Sequence, residues 1–162
     1  MSEKIRHVYT TNSCDETIAL GRELAKLLKP PKVLVLRGDL GAGKTTLVKG
    51  IAAALGAAEP DEVTSPTFTL IHEYAGRAIE PGSEHENLGD AVLLYHLDLY
   101  RIESQRQLDT LGIDDLMTPQ SLLLIEWGEK FPSIVALSDG EIAIETLPGD
   151  ERRITLAIHP VL

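Results

Sequence analysis

The sequence predicts an α/β fold in which helices flank a largely parallel central sheet. Three observations support this fold class. Residues 33–36 form a short apolar run typical of a buried strand, a glycine-rich loop follows it, and an amphipathic helix follows the loop. Further apolar runs of strand length come later. The chain has 162 residues, 43% of them hydrophobic, so we expect one domain over residues 1–162.

Composition restricts the partners and the compartment. The net charge is −10, with 25 acidic and 15 basic residues. Because nucleic-acid binders usually carry a basic surface, we expect any RNA to be held by a partner protein. The single cysteine, Cys14, excludes an internal disulfide. Residues 1–30 lack a signal-peptide core, and no apolar run reaches the length of a membrane helix, which predicts a cytoplasmic protein without membrane contact.

The first two helices are predicted from their ends and their periodicity. Ser13 and Glu16 have the spacing of a capping box, and leucines then recur at helical spacing until Pro30-Pro31, where we expect the helix to stop. These leucines are Leu20, Leu24, Leu27 and Leu28. The second helix begins after the glycine-rich loop and carries one apolar stripe, and Gly56 is placed to end it.

The later elements are predicted from shorter patterns. We expect strands over residues 67–74, 92–99 and 122–125, with an exposed loop over residues 76–90. Ser104 and Gln107 have capping-box spacing, which predicts a short helix over residues 104–111. Alternating apolar residues within 142–144 and 154–158 predict two closing strands. A turn at Pro148-Gly149 would join them.

A phosphate-binding motif occupies residues 38–45. It reads Gly38-Asp39-Leu40-Gly41-Ala42-Gly43-Lys44-Thr45 and matches the pattern G-x-x-x-x-G-K-[ST]. Its glycines let successive backbone N–H groups turn inward, and the start of the following helix adds positive potential. We expect Lys44 to bind the outer phosphates and Thr45 to ligate Mg²⁺. The motif predicts a P-loop NTPase fold that binds ATP, with further ATP contacts from Gly41, Ala42, Gly43 and Thr46.

Three further polar residues are candidates for the metal and water side of this site. Glu126 directly follows the apolar residues 122–125, which places a carboxylate at the end of a buried strand, where open α/β sheets bind ligands. Asp98 shares a strand face with His96 and could bind Mg²⁺ through water or orient the attacking water, although a hydrogen-bonded pair at a strand end is the alternative. Thr67 is a candidate γ-phosphate sensor, and an ordinary turn explains its segment equally well.

These segments occur together and in an order that resembles the bacterial TsaE (YjeE) family, the ATPase of tRNA threonylcarbamoyladenosine biosynthesis. The segments that carry the resemblance are residues 38–46, 65–70, 95–101, 111–113 and 125–127. The resemblance implies that Glu126 is a metal ligand and that Asp98 and Thr67 are catalytic or switch residues. It also implies that Trp127 contacts nucleotide or partner, and that the segment containing Thr11 lies near the adenine.

The same resemblance implies a function. The chain is expected to be a Mg²⁺-dependent ATPase that works with TsaD and TsaB and does not itself transfer the threonylcarbamoyl group. In that system TsaD modifies the adenosine beside the anticodon, so tRNA would be met only through the partner complex.

The alternative is a P-loop small-molecule kinase, although the sequence has no arginine-rich lid. A guanine-specific switch would need an Asn-Lys-x-Asp stretch, which is absent.

Overall fold

The computed structural model describes residues 5–78 and 89–159, in which seven strands form one sheet. The strands are β1 (Ile5–Thr11), β2 (Lys32–Arg37), β3 (Ile71–Arg77), β4 (Ala91–Asp98), β5 (Ser121–Glu126), β6 (Gly140–Thr146) and β7 (Arg152–Ile158). The helices are α1 (Cys14–Ala25), α2 (Lys44–Ala54), α3 (Gln105–Thr110), α4 (Ile113–Leu116) and α5 (Pro132–Leu137). Short 3-10 turns span Pro60–Glu62 and Gly128–Lys130.

The sheet is mixed, with the strand order β1-β7-β6-β2-β5-β4-β3. The four inner strands β6, β2, β5 and β4 run parallel, whereas the β1–β7, β7–β6 and β3–β4 pairs are antiparallel. The predicted α/β class is confirmed, but the prediction of a largely parallel sheet is wrong. The tight turn between β6 and β7 can only join antiparallel neighbours. The strands are therefore parallel at the centre of the sheet and antiparallel at its edges.

Helices cover both faces of the sheet. On one face, α1 and α2 pack on a core that includes Leu34, Leu36 and Leu124. Gly21 of α1 and Gly50 of α2 let these helices approach closely, because a Cβ on either residue would overlap the backbone of the other helix. On the other face, α3, α4 and α5 cover a second core, built on side chains of β2, β4 and β5 that point the opposite way. No helix within the described ranges is long and apolar enough to cross a membrane.

Ser13 and Ser104 are the N-caps of α1 and α3, as predicted, but the reciprocal bond of a capping box comes in each case from the residue before the serine. Ser13 Oγ accepts a hydrogen bond from Glu16 N at 3.1 Å, and Asn12 N donates to Glu16 Oε1 at 3.0 Å. Ser104 Oγ likewise accepts from Gln107 N at 3.2 Å. However, α1 ends at Ala25, before the prolines that were expected to stop it. After Ala25 the chain continues in tighter turns, in which the backbone N–H groups of residues 26–28 each donate to the carbonyl three residues earlier. The leucine spacing therefore continues past the end of the α-helix.

The predicted strand over residues 67–74 is wrong in its first half. Residues 66–70 form a turn in which Leu70 N donates to Pro66 O at 2.7 Å, and Leu70 has a left-handed φ of 71°. A residue in that conformation cannot continue a strand, so β3 begins at Ile71. This strand runs to Arg77, later than the predicted start of the loop over residues 76–90. Residues 79–88 of that predicted loop lie outside the described residues.

The remaining predicted strands and helices are confirmed within one or two residues at their ends. The turn at Pro148-Gly149 is also present, with Gly149 at a φ of 70°. Strand β1 and helices α4 and α5 were not predicted. Strand β1 lies at the edge of the sheet and exposes most of its side chains, so it carries little apolar periodicity.

Candidate functional site

The glycine loop (residues 38–45) connects the carboxyl end of β2 to the start of α2. Gly41 and Gly43 have backbone φ angles of 81° and 110°, which residues with a Cβ rarely adopt. Gly43 is the N-cap of α2, and no side chain among the described residues caps that helix end. The first backbone N–H groups of an α-helix have no partner within the helix, so this loop and helix form a site suited to an anion.

Lys44 is held inside this site. Its side chain is only 5% exposed, and its Nζ donates to Gly38 O at 2.7 Å. The same nitrogen lies 3.5 Å from Glu126 Oε1 and 4.5 Å from the centre of the Trp127 ring. An ammonium has three donors, so one carbonyl and one carboxylate leave capacity for a further anionic group. The geometry thus places a buried cation at the start of α2.

Glu126 and Asp98 end neighbouring strands. They are paired in register where β5 and β4 stop, and both are buried. Glu126 directs Oε1 toward Lys44, while its Oε2 contacts His96 Nε2 at 2.5 Å. The structure therefore brings Lys44, Glu126 and Asp98 to one edge of the sheet. The reason is that β2, β4 and β5 are parallel and present their carboxyl ends on the same side.

Asp98 is bonded to the hydroxyl-rich segment that precedes β3. Its Oδ2 accepts from Thr67 Oγ1 at 3.2 Å, and its Oδ1 accepts from Tyr100 N at 2.9 Å. Ser65 Oγ lies 2.8 Å from Thr67 Oγ1 and extends this chain of hydroxyls. His96 shares the strand face of Asp98, as predicted, but its hydrogen bond goes to Glu126. The predicted sensor and the predicted water-orienting residue are in direct contact.

The donors at this edge suit a hard cation. Across residues 5–78 and 89–159, no three His, Cys, Asp or Glu side chains gather to hold a metal ion. Thr45 and Glu126 instead offer a hydroxyl and a carboxylate oxygen, which are Mg²⁺ ligands. Magnesium commonly completes its shell with substrate phosphates and water rather than with a full set of side chains. A carboxylate at the end of β5 and a hydroxyl at the start of α2 are therefore oxygen donors of the kind that Mg²⁺ prefers.

A cavity of about 270 Å³ lies on the α1 side of the glycine loop. Its lining residues are Ser13, Cys14, Thr17, Gly41, Ala42, Gly43, Thr46, Asp150 and Arg152. Thr11, which was predicted to lie near the adenine, is buried behind this cavity and does not line it. Its Oγ1 is 2.8 Å from Thr17 Oγ1, so Thr11 supports a residue that does line the cavity.

Arg152 was not among the predicted site residues. Its Nε donates to Ala42 O at 3.2 Å and ties β7 to the glycine loop. The neighbouring Arg153 points to the other face of the strand and pairs with the exposed Glu145 at 3.1 Å. Strand alternation would have separated these two arginines, but it could not have shown which one faces the loop.

A second cavity of about 540 Å³ lies on the other side of the glycine loop. Its lining residues are Arg37, Gly38, Asp39, Trp127, Glu129, Glu141, Ala143, Ile144, Glu145 and Thr146. Trp127 has a left-handed φ of 62°, and its ring centre lies 5.2 Å from that of Tyr100. It therefore lies against Lys44 and Tyr100 and away from the 270 Å³ cavity. Its role in nucleotide or partner contact stays a prediction.

Lys130, like Arg152, was not predicted to belong to the site. Its Nζ donates to the carbonyl oxygens of Leu99, Tyr100 and Ile102 at 3.2, 2.8 and 2.8 Å. These carbonyls belong to the loop after Asp98, whereas Lys130 follows Glu126. The side chain thus joins the two loops that leave the candidate site. A lysine in a turn carries no sequence pattern that would have revealed this contact.

The chain is similar to known proteins over most of its length. The family model described as "Threonylcarbamoyl adenosine biosynthesis protein TsaE" matches residues 11–154. The "tRNA threonylcarbamoyladenosine biosynthesis protein TsaE" of Bacillus subtilis is 38% identical over 148 residues, which cover 91% of this chain and 82% of the relative. The protein of the same name from Treponema pallidum is 35% identical over 147 residues, which cover 91% and 97%. A crystal structure of Bacillus subtilis YdiB matches with a TM-score of 0.67 and 30% identity, over 99% of this chain and 90% of that one.

Proposed function

The chain belongs to the TsaE family, and from that premise we propose that it is a Mg²⁺-dependent P-loop ATPase that supports threonylcarbamoyladenosine modification of tRNA. The observation that carries this proposal is the position of Lys44. Its ammonium lies between Gly38 O and Glu126 Oε1, at the uncapped start of α2. Such a cation beside free backbone N–H groups is what the outer phosphates of a nucleotide require.

The proposal assigns the surrounding residues to ATP. The triphosphate would lie along the glycine loop, bound by the backbone of Gly41, Ala42 and Gly43 and by Lys44. Thr46, which lines the 270 Å³ cavity, would contact the nucleotide beyond the outer phosphates, and the adenine end of ATP would occupy that cavity. That cavity touches the loop directly, and its volume suits part of a nucleotide. Thr11 would act there indirectly, through its contact with Thr17.

Hydrolysis requires a water in line with the γ-phosphate. Mg²⁺, held by Thr45 and Glu126, would neutralise charge that develops on the phosphate oxygens. Asp98 would accept a hydrogen bond from the water, and Thr67 would exchange its present contact with Asp98 for one with the γ-phosphate. The water oxygen would then bond to the γ-phosphorus and give up one proton, first to Asp98 and then to solvent. The bond from the γ-phosphorus to the bridging oxygen would break with its electron pair on ADP. The products are ADP and phosphate.

We propose TsaD and TsaB as protein partners, with TsaD carrying out the transfer to adenosine. The acidic net charge of −10 supports an indirect contact with tRNA, because the chain lacks an overall basic balance. The relatives' names place those proteins in the biosynthesis of tRNA threonylcarbamoyladenosine. A cytoplasmic location follows from that pathway in the proposal.

The test is steady-state ATP hydrolysis by the purified chain, alone and with a TsaB–TsaD complex. Lys44→Ala serves as the inactive control in both conditions. Hydrolysis that the partners stimulate and that Lys44→Ala abolishes would support both the site and the pathway. Hydrolysis at the same rate with and without the partners would support the ATPase activity but not the pathway. The next assay would then offer small-molecule phosphoryl acceptors, as for a kinase. No hydrolysis in either condition would overturn the proposal.

A further inference from the structure

We propose that His96 is a positioning residue, which fixes the carboxylate of Glu126 so that one oxygen remains directed at the glycine loop. The inference rests on the proposed function, because it concerns Glu126 as the ligand of Mg²⁺. It assigns to His96 a role that neither the loop motif nor the register of the strands provides.

The contact lies in the interior of the protein. His96 is fully buried, and Glu126 is 3% exposed. His96 belongs to β4, and Glu126 is the last residue of the adjacent parallel strand β5. His96 Nε2 lies 2.5 Å from Glu126 Oε2. An ionised carboxylate can only accept a hydrogen bond, so the proton of this pair lies on Nε2 when Glu126 is charged.

The other ring nitrogen indicates why this histidine is present. His96 Nδ1 is buried and has no hydrogen-bond partner among the described residues. A buried polar atom without a partner costs about 1–3 kcal/mol, so an apolar residue would serve better if the position needed only packing. The sole hydrogen bond of the ring within the described residues is the one to Glu126. The contact with that carboxylate is therefore what favours histidine here.

The two oxygens of Glu126 have different surroundings. His96 holds Oε2 from the sheet, whereas Oε1 faces Lys44 at 3.5 Å. With Oε2 fixed, the carboxylate cannot rotate to offer both oxygens to the ammonium of Lys44. Oε1 then stays available to a cation or its water. Residues that orient a metal ligand in this way typically change metal affinity 10–100-fold when they are replaced.

The experiment compares His96→Gln with His96→Asn in the full chain. The amide nitrogen of glutamine reaches about as far as Nε2 of histidine, whereas that of asparagine stops near the position of Nδ1. Mg²⁺ is titrated at a saturating concentration of a non-hydrolysable ATP analogue. Trp127 is the only tryptophan of the chain and lies 4.5 Å from Lys44, so its fluorescence is the readout. Calorimetry in EDTA gives the affinity for nucleotide without metal.

We expect His96→Asn to raise the Mg²⁺ midpoint about ten-fold or more and His96→Gln to stay within about three-fold of the unmodified chain. The affinity for nucleotide in EDTA should change by less than about two-fold in both variants, because the side chain at position 96 is not proposed to contact the phosphates. Leu94→Ala is the packing control, since Leu94 is fully buried on the same face of β4. It should lower the melting temperature and leave the Mg²⁺ midpoint unchanged.

The outcomes separate the inference from the proposed function. A Mg²⁺ midpoint in His96→Asn equal to that of the unmodified chain would overturn the positioning role alone. Equal weakening in His96→Gln, His96→Asn and Leu94→Ala would do the same, because it would reflect packing only. An unmodified chain that shows no Mg²⁺-dependent response would overturn the proposed function and this inference with it. If His96→Asn does not fold, His96→Met takes its place in the comparison with His96→Gln.

Discussion

Lys44 and Glu126 come from opposite halves of the chain, yet Nζ of Lys44 lies 3.5 Å from Oε1 of Glu126, and both side chains are only 5% exposed. Burying two charges costs desolvation energy that their attraction often fails to recover. Such a pair is therefore a poor means of stabilising a fold, and its place beside the glycine loop favours a role in binding. Replacing either partner tests a different part of that role.

Lys44→Ala should abolish nucleotide turnover. The substitution removes the cation proposed to stabilise charge on the outer phosphates, an effect worth at least about 100-fold in kcat at comparable sites. Phosphate release in the steady state is the measurement. Lys26→Ala is the matched control, because Lys26 is an exposed lysine on the surface of the protein, where it lies 3.4 Å from Glu23. Hydrolysis at the normal rate in Lys44→Ala would remove the phosphate-site assignment.

Glu126→Ala should weaken nucleotide binding more in the presence of Mg²⁺ than in EDTA. The reason is that the carboxylate is proposed to hold the metal and not the phosphates directly. Calorimetry under the two conditions measures the difference. Glu23→Ala provides a control carboxylate on α1, where Glu23 is exposed and lies 3.4 Å from Lys26. Equal losses with and without metal would contradict the role of Glu126 as a ligand.

Much of the central fold could be predicted because its signals are local. The apolar run of β5, the serine N-caps and the glycine loop each lie within a few residues of sequence. The edges of the sheet could not be predicted in the same way. Strand β1 pairs with β7 across nearly the whole chain, and its exposed side chains give no period. The turn at residues 66–70 depends on the left-handed Leu70, a residue type that gives no warning of it.

The candidate site divides along the same line. Lys44, Asp98 and Glu126 could be predicted because each follows or precedes an element whose period is clear, and parallel strands bring their ends together. His96 and Lys130 could not be assigned their contacts. The first bonds a side chain on a neighbouring strand, and the second bonds backbone carbonyls of another loop. Contacts of this kind depend on the three-dimensional register and leave no spacing in the sequence.

Asp98→Ala should retain ATP binding and slow hydrolysis by about 100-fold or more, to a residual rate that can still be measured. Asp98 is buried and accepts hydrogen bonds from Thr67 and from the backbone of Tyr100, so its proposed task is to orient the water and its neighbours rather than to hold the nucleotide. Binding by calorimetry and turnover by phosphate release measure the two effects separately. A variant that turns over ATP at the normal rate would reduce Asp98 to a structural residue.

Thr67→Val tests whether Thr67 and Asp98 act together. Valine keeps the shape of threonine but removes the hydroxyl that donates to Asp98 at 3.2 Å. In a double-mutant cycle with Asp98→Ala, we expect the effects on kcat to be non-additive by about 0.5–3 kcal/mol, the range for residues in contact. Thr69→Val is the control, since Thr69 contacts His72 instead. Additive effects of Thr67 and Asp98 would show that the two residues act independently.

Lys130→Met should loosen the loop that follows Asp98. Lys130 donates to three carbonyls of that loop, and methionine keeps a long side chain without a donor. The amides of Leu99 and Ile102, which are bonded in the native loop, should exchange hydrogen about ten-fold faster, the effect of about 1.4 kcal/mol of lost local stability.

Lys29→Met, at an exposed position after α1, is the control. Hydrolysis should slow as well, because the same loop begins at Asp98. Unchanged exchange at both amides would show that the carbonyl contacts of Lys130 do not hold the loop.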